Sequence, residues 1–170
     1  MSEPGSDDIE ARVRRTLDET GMPYEVIPCD PDYADTAAFC ERYGYAPEVS
    51  ANTIVVASKS EPRDYAACVV LATYRLDVNH TIRKRMSVKK VSFADADETA
   101  VLTGMAIGGV TPLALPSHLA IWVDAAVMKC DEIILGGGSR SLKVKVAPQI
   151  FDALPQAEVV EGLANIPVSG

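Results

Sequence analysis

Two runs of small or β-branched apolar residues, Thr53 to Ala57 and Ala66 to Ala72, flank a polar stretch, Ser58 to Asp64, that contains Pro62. Runs of this length and composition read as strands buried on both faces, and the polar break suits a hairpin connection. A buried hairpin must be covered on each side, so the pair implies a layered domain around one core. At 170 residues and 48% apolar content the chain can build such a core, burying roughly 70% of the surface its unfolded form exposes.

The flanking segments supply the layers. Ile9, Val13 and Leu17 recur every four residues among charged ones, and Gly21 and Pro23 end the pattern, which predicts a first helix. A short strand, Tyr24 to Ile27, follows. A second helix is expected from Asp35 to Tyr43, stopped by Gly44, and a short basic helix from Asn79 to Met86. Val88 to Phe93 reads as a strand, and Asp95 to Thr103 as a helix closed by Gly104. Met105 to Ile107, Leu119 to Val123, Glu132 to Leu135 and Leu142 to Val146 read as further strands, the last alternating apolar residues with lysine. Pro148 can open a last helix through Leu154. Strands come in runs instead of alternating with helices. The expected class is therefore α/β of the α+β kind, a single domain with a mixed, mainly antiparallel sheet and flanking helices. Residues 1–7 are expected to be a disordered lead-in, and residues 8–170 the domain.

Charge and cysteine content exclude several functions. A net charge of −8 disfavours a protein that coats DNA or other nucleic acid non-specifically. Arg83, Lys84, Arg85, Lys89 and Lys90 nevertheless lie within eight residues and form either a local basic face or an ordinary solvated surface. Cys29, Cys40, Cys68 and Cys130 are widely spaced, without a zinc motif or a disulfide framework, so structural thiols and no metal are expected. The run Ala66 to Ala72 has seven residues, against the ~20 of a membrane-spanning helix. The N-terminus lacks the pattern of a secretory signal, so a cytoplasmic location and no membrane partner are expected.

Two glycine clusters stand out. Gly108, Gly109, Val110, Thr111 and Pro112 follow the expected strand Met105 to Ile107. Adjacent glycines can expose successive N–H groups to an anion or oxyanion, or form a plain tight turn. Gly136, Gly137 and Gly138 precede Ser139 and Arg140; they lack the lysine and hydroxyl spacing of a phosphate-binding loop, and a hairpin turn is the default.

Taken in order, these features resemble the YbaK/prolyl-tRNA synthetase-associated domain over roughly Ile9 to Leu154. The residues that carry the resemblance are Thr53 at the start of a strand, the long apolar strand Ala66 to Ala72, Lys89-Lys90-Val91, Thr103-Gly104, Gly108 to Pro112, Val123-Asp124, Gly137, Gly138 with Arg140, and Pro148. Members of that family hydrolyse the ester of mischarged aminoacyl-tRNA. The resemblance thus implies an aminoacyl-tRNA acceptor end as partner, with an aminoacyl-tRNA synthetase as a further candidate, and no cofactor. The lack of a synthetase-like extension is taken to imply the free-standing, trans-editing type.

The resemblance places catalysis at Asn52, Gly108, Gly109 and Thr111, and substrate binding at Thr53, Val110, Pro112, Asp124, Gly137, Gly138 and Arg140. With that activity, the basic stretch Arg83 to Lys90 becomes the candidate tRNA contact. One position departs from the family: Asn52 stands where similar deacylases have lysine, and a neutral amide replaces a cation. Lys59, the next lysine, lies about 23 Å away along extended chain and cannot simply substitute. Whether Arg140 or Lys143 reaches the site instead is open at this level. An aminoacyl ester is already activated, so fixing it, donating to the developing oxyanion and admitting one water can suffice. Losing one preorganised donor slows such a reaction by ~10²–10³.

The alternative is a non-catalytic module that binds an aminoacyl-tRNA end, a nucleotide-like ligand or a protein partner. Asp124 also reads as a helix cap, and His80 and His118 have no sequence neighbour that marks them as catalytic. Ala51, Ala66, Ala67, Cys68 and Ala72 are the small side chains close to the site in sequence.

Overall fold

A computed structural model describes residues 6–167. The first helix, α1 (Ser6–Thr20), begins inside the segment expected to be a disordered lead-in; residues 1–5 lie outside the described ones. Ile9, Val13 and Leu17 are all buried, each worth about 1.5–3 kcal/mol of transfer from water. That stripe holds the helix against the domain.

Among the described residues ten strands follow, in three sheets. The largest contains β2 (Ala51–Ser58), β3 (Tyr65–Leu71), β5 (Val91–Phe93), β6 (Ala120–Asp124) and β9 (Ala157–Val160) in the order β5-β2-β3-β6-β9. β2 and β3 form the expected antiparallel hairpin, with Asn52 opposite Val70 and Thr53 opposite Val69. β3, β6 and β9 run parallel. A smaller antiparallel sheet orders β1 (Tyr24–Pro28), β8 (Leu142–Val146) and β7 (Ile133–Gly136) as β1-β8-β7. One parallel bridge, Ser50 to Ile134, joins the two sheets. β4 (Arg75–Leu76) and β10 (Ala164–Asn165) make a third, two-stranded pair. The mixed sheet with flanking helices is the expected architecture.

Both faces of β3 are covered, which explains its unbroken apolar run. Ala67, Val69 and Leu71 pack with α1 and with Ile133, Leu135, Val144 and Val146 of the small sheet. Ala66, Cys68 and Val70 pack with Ile82, Met86 and Leu163. Burial pushes the Cys68 thiol up to about 12, so it is inert. A third cluster seats Phe39 and Cys40 of α2 (Thr36–Tyr43) against Ile27, Cys29 and Ile134.

Several local expectations change. Met105 to Ile107 is not a strand: Gly109 N–H donates to Ala106 O at 2.9 Å, closing a turn through the segment. The basic helix opens with a wide π turn, Val78–Ile82, before α3 (Arg83–Met86). Val88 still bonds back to that helix, so β5 begins only at Val91. α4 (Ala96–Thr103) ends at Gly104, in a left-handed conformation with φ +76°. The last helix is a 3-10 segment, Pro148–Ala153.

Candidate functional site

β5 covers the outer edge of β2 only at Val56 to Ser58. Backbone groups alternate direction along a strand, and Val55 O accepts from Ala94 on that outer side. The N–H and C=O of Thr53 therefore point to the same edge, past the end of β5. A cavity of about 320 Å³ fills this gap. Its walls come from β2, α2, β7, β8 and the Gly108 loop, and they include Thr36, Phe39, Asn52, Thr53, Gly108 and Lys143.

Asn52 Oδ1 accepts a hydrogen bond from Thr36 Oγ1 at the start of α2. That bond orients the amide and leaves its NH₂ for other acceptors. Thr53 Oγ1 is buried and has no hydrogen-bond partner among the described residues. An orphaned buried hydroxyl is unfavourable by ~1–3 kcal/mol, and it borders the cavity.

Lys143, whose reach the sequence leaves open, lines the cavity and is 6% exposed. Its Nζ donates to Ala34 O at 2.6 Å and Gly108 O at 2.8 Å, and lies 5.5 Å from the centre of the Phe39 ring. Burial lowers its pKa from the usual value, with the nearby Arg140 charge acting in the same direction and Cys29 and Asp35 opposing. The alternation of β8 holds the signal that Lys143 and Lys145 share one face. Only the central place of β8 in its sheet, beneath α2, shows that Lys143 is covered.

Arg140 serves the loop. Its Nε and one terminal nitrogen donate to Pro31 O at 3.1 and 2.8 Å, and the other donates to Ile107 O at 2.7 Å and to Asp35 at 3.1 Å. These bonds pin the turn before Gly108, and Arg140 is not part of the cavity wall.

The two glycine clusters form one unit. Gly138 N–H donates to Gly109 O at 2.9 Å. A Cβ on Gly109 would meet the Ser139 backbone at 2.5 Å, and one on Gly136 would collide with Val110 O. Glycine is required by this close approach of two chain segments. The second cluster also makes the expected hairpin, since β7 pairs with β8 and Gly137 N–H donates to Leu142 O at 3.0 Å.

Within the first cluster, Gly108 and Val110 line the cavity. Their N–H groups donate to no protein atom among the described residues. Gly109 N–H is engaged by Ala106, and Thr111 N–H donates to Met105 Sδ at 3.4 Å. Thr111 is fully buried, caps the 3-10 turn Pro112–Ala114 and stands outside the cavity wall, as does Pro112. Gly138 supports the loop through its bond to Gly109 O, Gly137 serves the β7–β8 turn, and neither lines the cavity.

Asp124 does not line this cavity. Its carboxylate accepts from Ala126 N–H at 3.3 Å, capping the 3-10 segment Ala125–Lys129, and from Ala164 N–H at 3.0 Å. The cap reading therefore describes its observed bonds. Of the small residues, Ala51 lines the cavity, whereas Ala66, Ala67 and Cys68 belong to the sheet core.

The basic stretch does not line the cavity either. Arg85 stacks over Trp122 at 5.0 Å and pairs with Glu158, and Arg83 bonds to Asn79 O. Lys84, Lys89 and Lys90 are exposed, and none forms an ion pair among the described residues. Among those residues no cluster of three or more His, Cys, Asp or Glu could hold a metal ion, and no helix is long and apolar enough to cross a membrane.

Comparison with known proteins bears on the fold and on the family. The fold matches the crystal structure of hypothetical protein APE2540 with a TM-score of 0.79 and 22% identity, over 91% of this chain and 99% of that one. It also matches a candidate trans-editing enzyme for prolyl tRNA synthetase with a TM-score of 0.75 and 21% identity, over 90% and 95% of the two chains. At this identity these likenesses describe the fold. The family model of the aminoacyl-tRNA editing domain matches residues 30–153, a span that holds β2, the Gly108 loop and Lys143. The chain belongs to the aminoacyl-tRNA editing domain family.

Proposed function

We propose that the cavity at the edge of β2 hydrolyses the ester bond of mischarged aminoacyl-tRNA, acting in trans. The observation that carries this reading is that one small cavity is lined by three residues whose polar groups have no partner among the described residues: Thr53 with its Oγ1, and Gly108 and Val110 with their N–H groups. Hydrolysis of an activated ester needs such preorganised groups more than a protein nucleophile.

In this mechanism the aminoacyl carbonyl sits beside Gly108 and Val110, whose N–H groups donate to the oxygen as it becomes negative. Thr53 and the Asn52 amide hold the polar atoms of the aminoacyl group. A water adds to the carbonyl carbon. The ester C–O bond then breaks, the electron pair leaves on the ribose oxygen, and that oxygen takes the proton released by the water. A size-limited second site of this kind is useful because binding alone separates amino acids differing by a methylene only ~10–200-fold.

A second reading, recognition without hydrolysis, is favoured by one observation: Asn52 is neutral and its carbonyl oxygen is already engaged by Thr36. Release of amino acid from alanyl-, cysteinyl- and seryl-tRNA separates the two. Turnover of at least one substrate supports the hydrolase; tight binding of all three without release transfers the case to the binding module.

A further inference from the structure

We propose that Lys143, carried on β8, is the cationic catalytic residue of this site and donates its remaining N–H to the oxyanion that forms on the aminoacyl carbonyl. The inference rests on the hydrolase reading and adds the residue that stabilises the charge.

The geometry begins with the ammonium itself. It has three N–H donors, and two are taken by Ala34 O and Gly108 O. No third protein acceptor is present among the described residues, and the side chain lines the cavity. Lys143 also forms no ion pair among those residues. A buried cation without a counter-ion is unfavourable, because two neutral carbonyls replace its water only in part. Developing negative charge in the cavity would relieve that imbalance, and it arises in the transition state more than in the neutral ester. Stabilisation confined to the transition state is what accelerates the chemical step.

Arg140, the other nearby cation, cannot take this role. Its guanidinium is committed to Pro31, Ile107 and Asp35. The bond from Lys143 to Gly108 O also fixes the peptide whose neighbours carry the candidate oxyanion donors. Cation and loop are thus one assembly, and the neutral Asn52 faces the same cavity from β2. Lys143 keeps its proton throughout, and the proton that reaches the leaving ribose oxygen comes from the attacking water.

The test compares two stable probes, a phosphonate analogue of alanyl-adenosine, tetrahedral and anionic, and the neutral 3′-amide analogue. Lys143→Met is expected to weaken phosphonate binding by at least ~10-fold, to change amide binding by less than about threefold, and to slow amino-acid release by ~10²–10³. A purely structural lysine would weaken both probes alike, and that result overturns the proposal. Should Lys143→Met fail to fold, the natural protein supplies the measurement. Its preference for phosphonate over amide is then expected to fall as pH rises through the Lys143 titration, with Asp35, Arg140, Cys29 and Cys40 as the titratable or charged groups around it. A preference unchanged across that range equally overturns it. If the natural protein binds neither probe and releases no amino acid, the hydrolase reading fails and this inference with it. Release that survives in folded Lys143→Met removes Lys143 alone.

Discussion

The N–H of Gly138 donates to the carbonyl oxygen of Gly109 at 2.9 Å, and this bond ties the β7–β8 turn to the loop at the cavity. Packing of the same kind brings Gly109 against Ser139 and Gly136 against Val110. The loop is therefore held from behind by backbone, which leaves its other side open to a ligand.

Gly109→Ala tests that contact. A methyl group there meets three Ser139 backbone atoms between 2.5 and 2.7 Å, which cannot move aside as a flexible side chain would. We expect a loss of about 1–3 kcal/mol and a fall in thermal midpoint of ~2–4 °C for each kcal/mol. Gly162→Ala, at φ +70° with open space around its Cβ, is the control and should cost about 1–2 kcal/mol. Thermal melts of both variants, with amino-acid release measured on the folded fraction, check the point; release unaffected by the Gly109 change would separate this loop from the chemistry.

Thr53→Val should separate stability from function. The substitution keeps the shape and removes a buried hydroxyl that has no partner among the described residues. Stability is expected to rise by about 1 kcal/mol while substrate affinity falls. Chemical denaturation and probe binding test the two halves independently. A destabilised variant would mean that the hydroxyl has a partner in solution.

Lys143 gives stability a definite pH trend. Burial holds its ammonium below the usual 10.5, so the unfolded chain binds this proton more tightly than the folded one. Between the lowered folded-state value and 10.5 the unfolded state carries the extra proton, and the stability contribution of this group rises with pH. Below that window both states are protonated and the full penalty applies. Urea midpoints of the natural protein minus those of Lys143→Met should therefore move in favour of the natural protein as pH rises from 7 to 10. A flat or opposite difference would show that the ammonium is not held down in the folded state.

The exposed lysines test tRNA contact. If Lys84, Lys89 and Lys90 each meet one phosphate, replacing all three with glutamine should make the dependence of log K on log salt shallower by ~2–3. Release from a minimal aminoacyl-adenosine should stay unchanged, because none of the three lines the cavity. Arg85 is a poor choice for this experiment: its pairing with Glu158 and stacking on Trp122 make its loss a packing change. An unaltered salt slope in the triple variant would locate the tRNA surface elsewhere.

Local chemistry made much of this molecule legible in advance. The four-residue spacing of Ile9, Val13 and Leu17, the glycine stops at Gly44 and Gly104, and the hairpin of β2 and β3 depend on residues close in the chain, so their signals survive without tertiary context. The ordered motifs around Gly108 to Pro112 were enough for the family. Other features depend on long-range partners. Met105 to Ile107 has the composition of a strand, but Met105 N–H bonds to Thr103 Oγ1 and Ala106 O accepts from Gly109, so the segment turns. β9 forms because it can lie parallel to β6, more than thirty positions earlier. Thr111 looks like a loop donor until Met105 takes its amide. Lys143 is the clearest case. Alternation along β8 determines which side chains share a face, whereas the burial of Lys143 depends on β1 and β7 flanking β8 and on Ala34 and Phe39 covering that face, and those partners come from other parts of the chain.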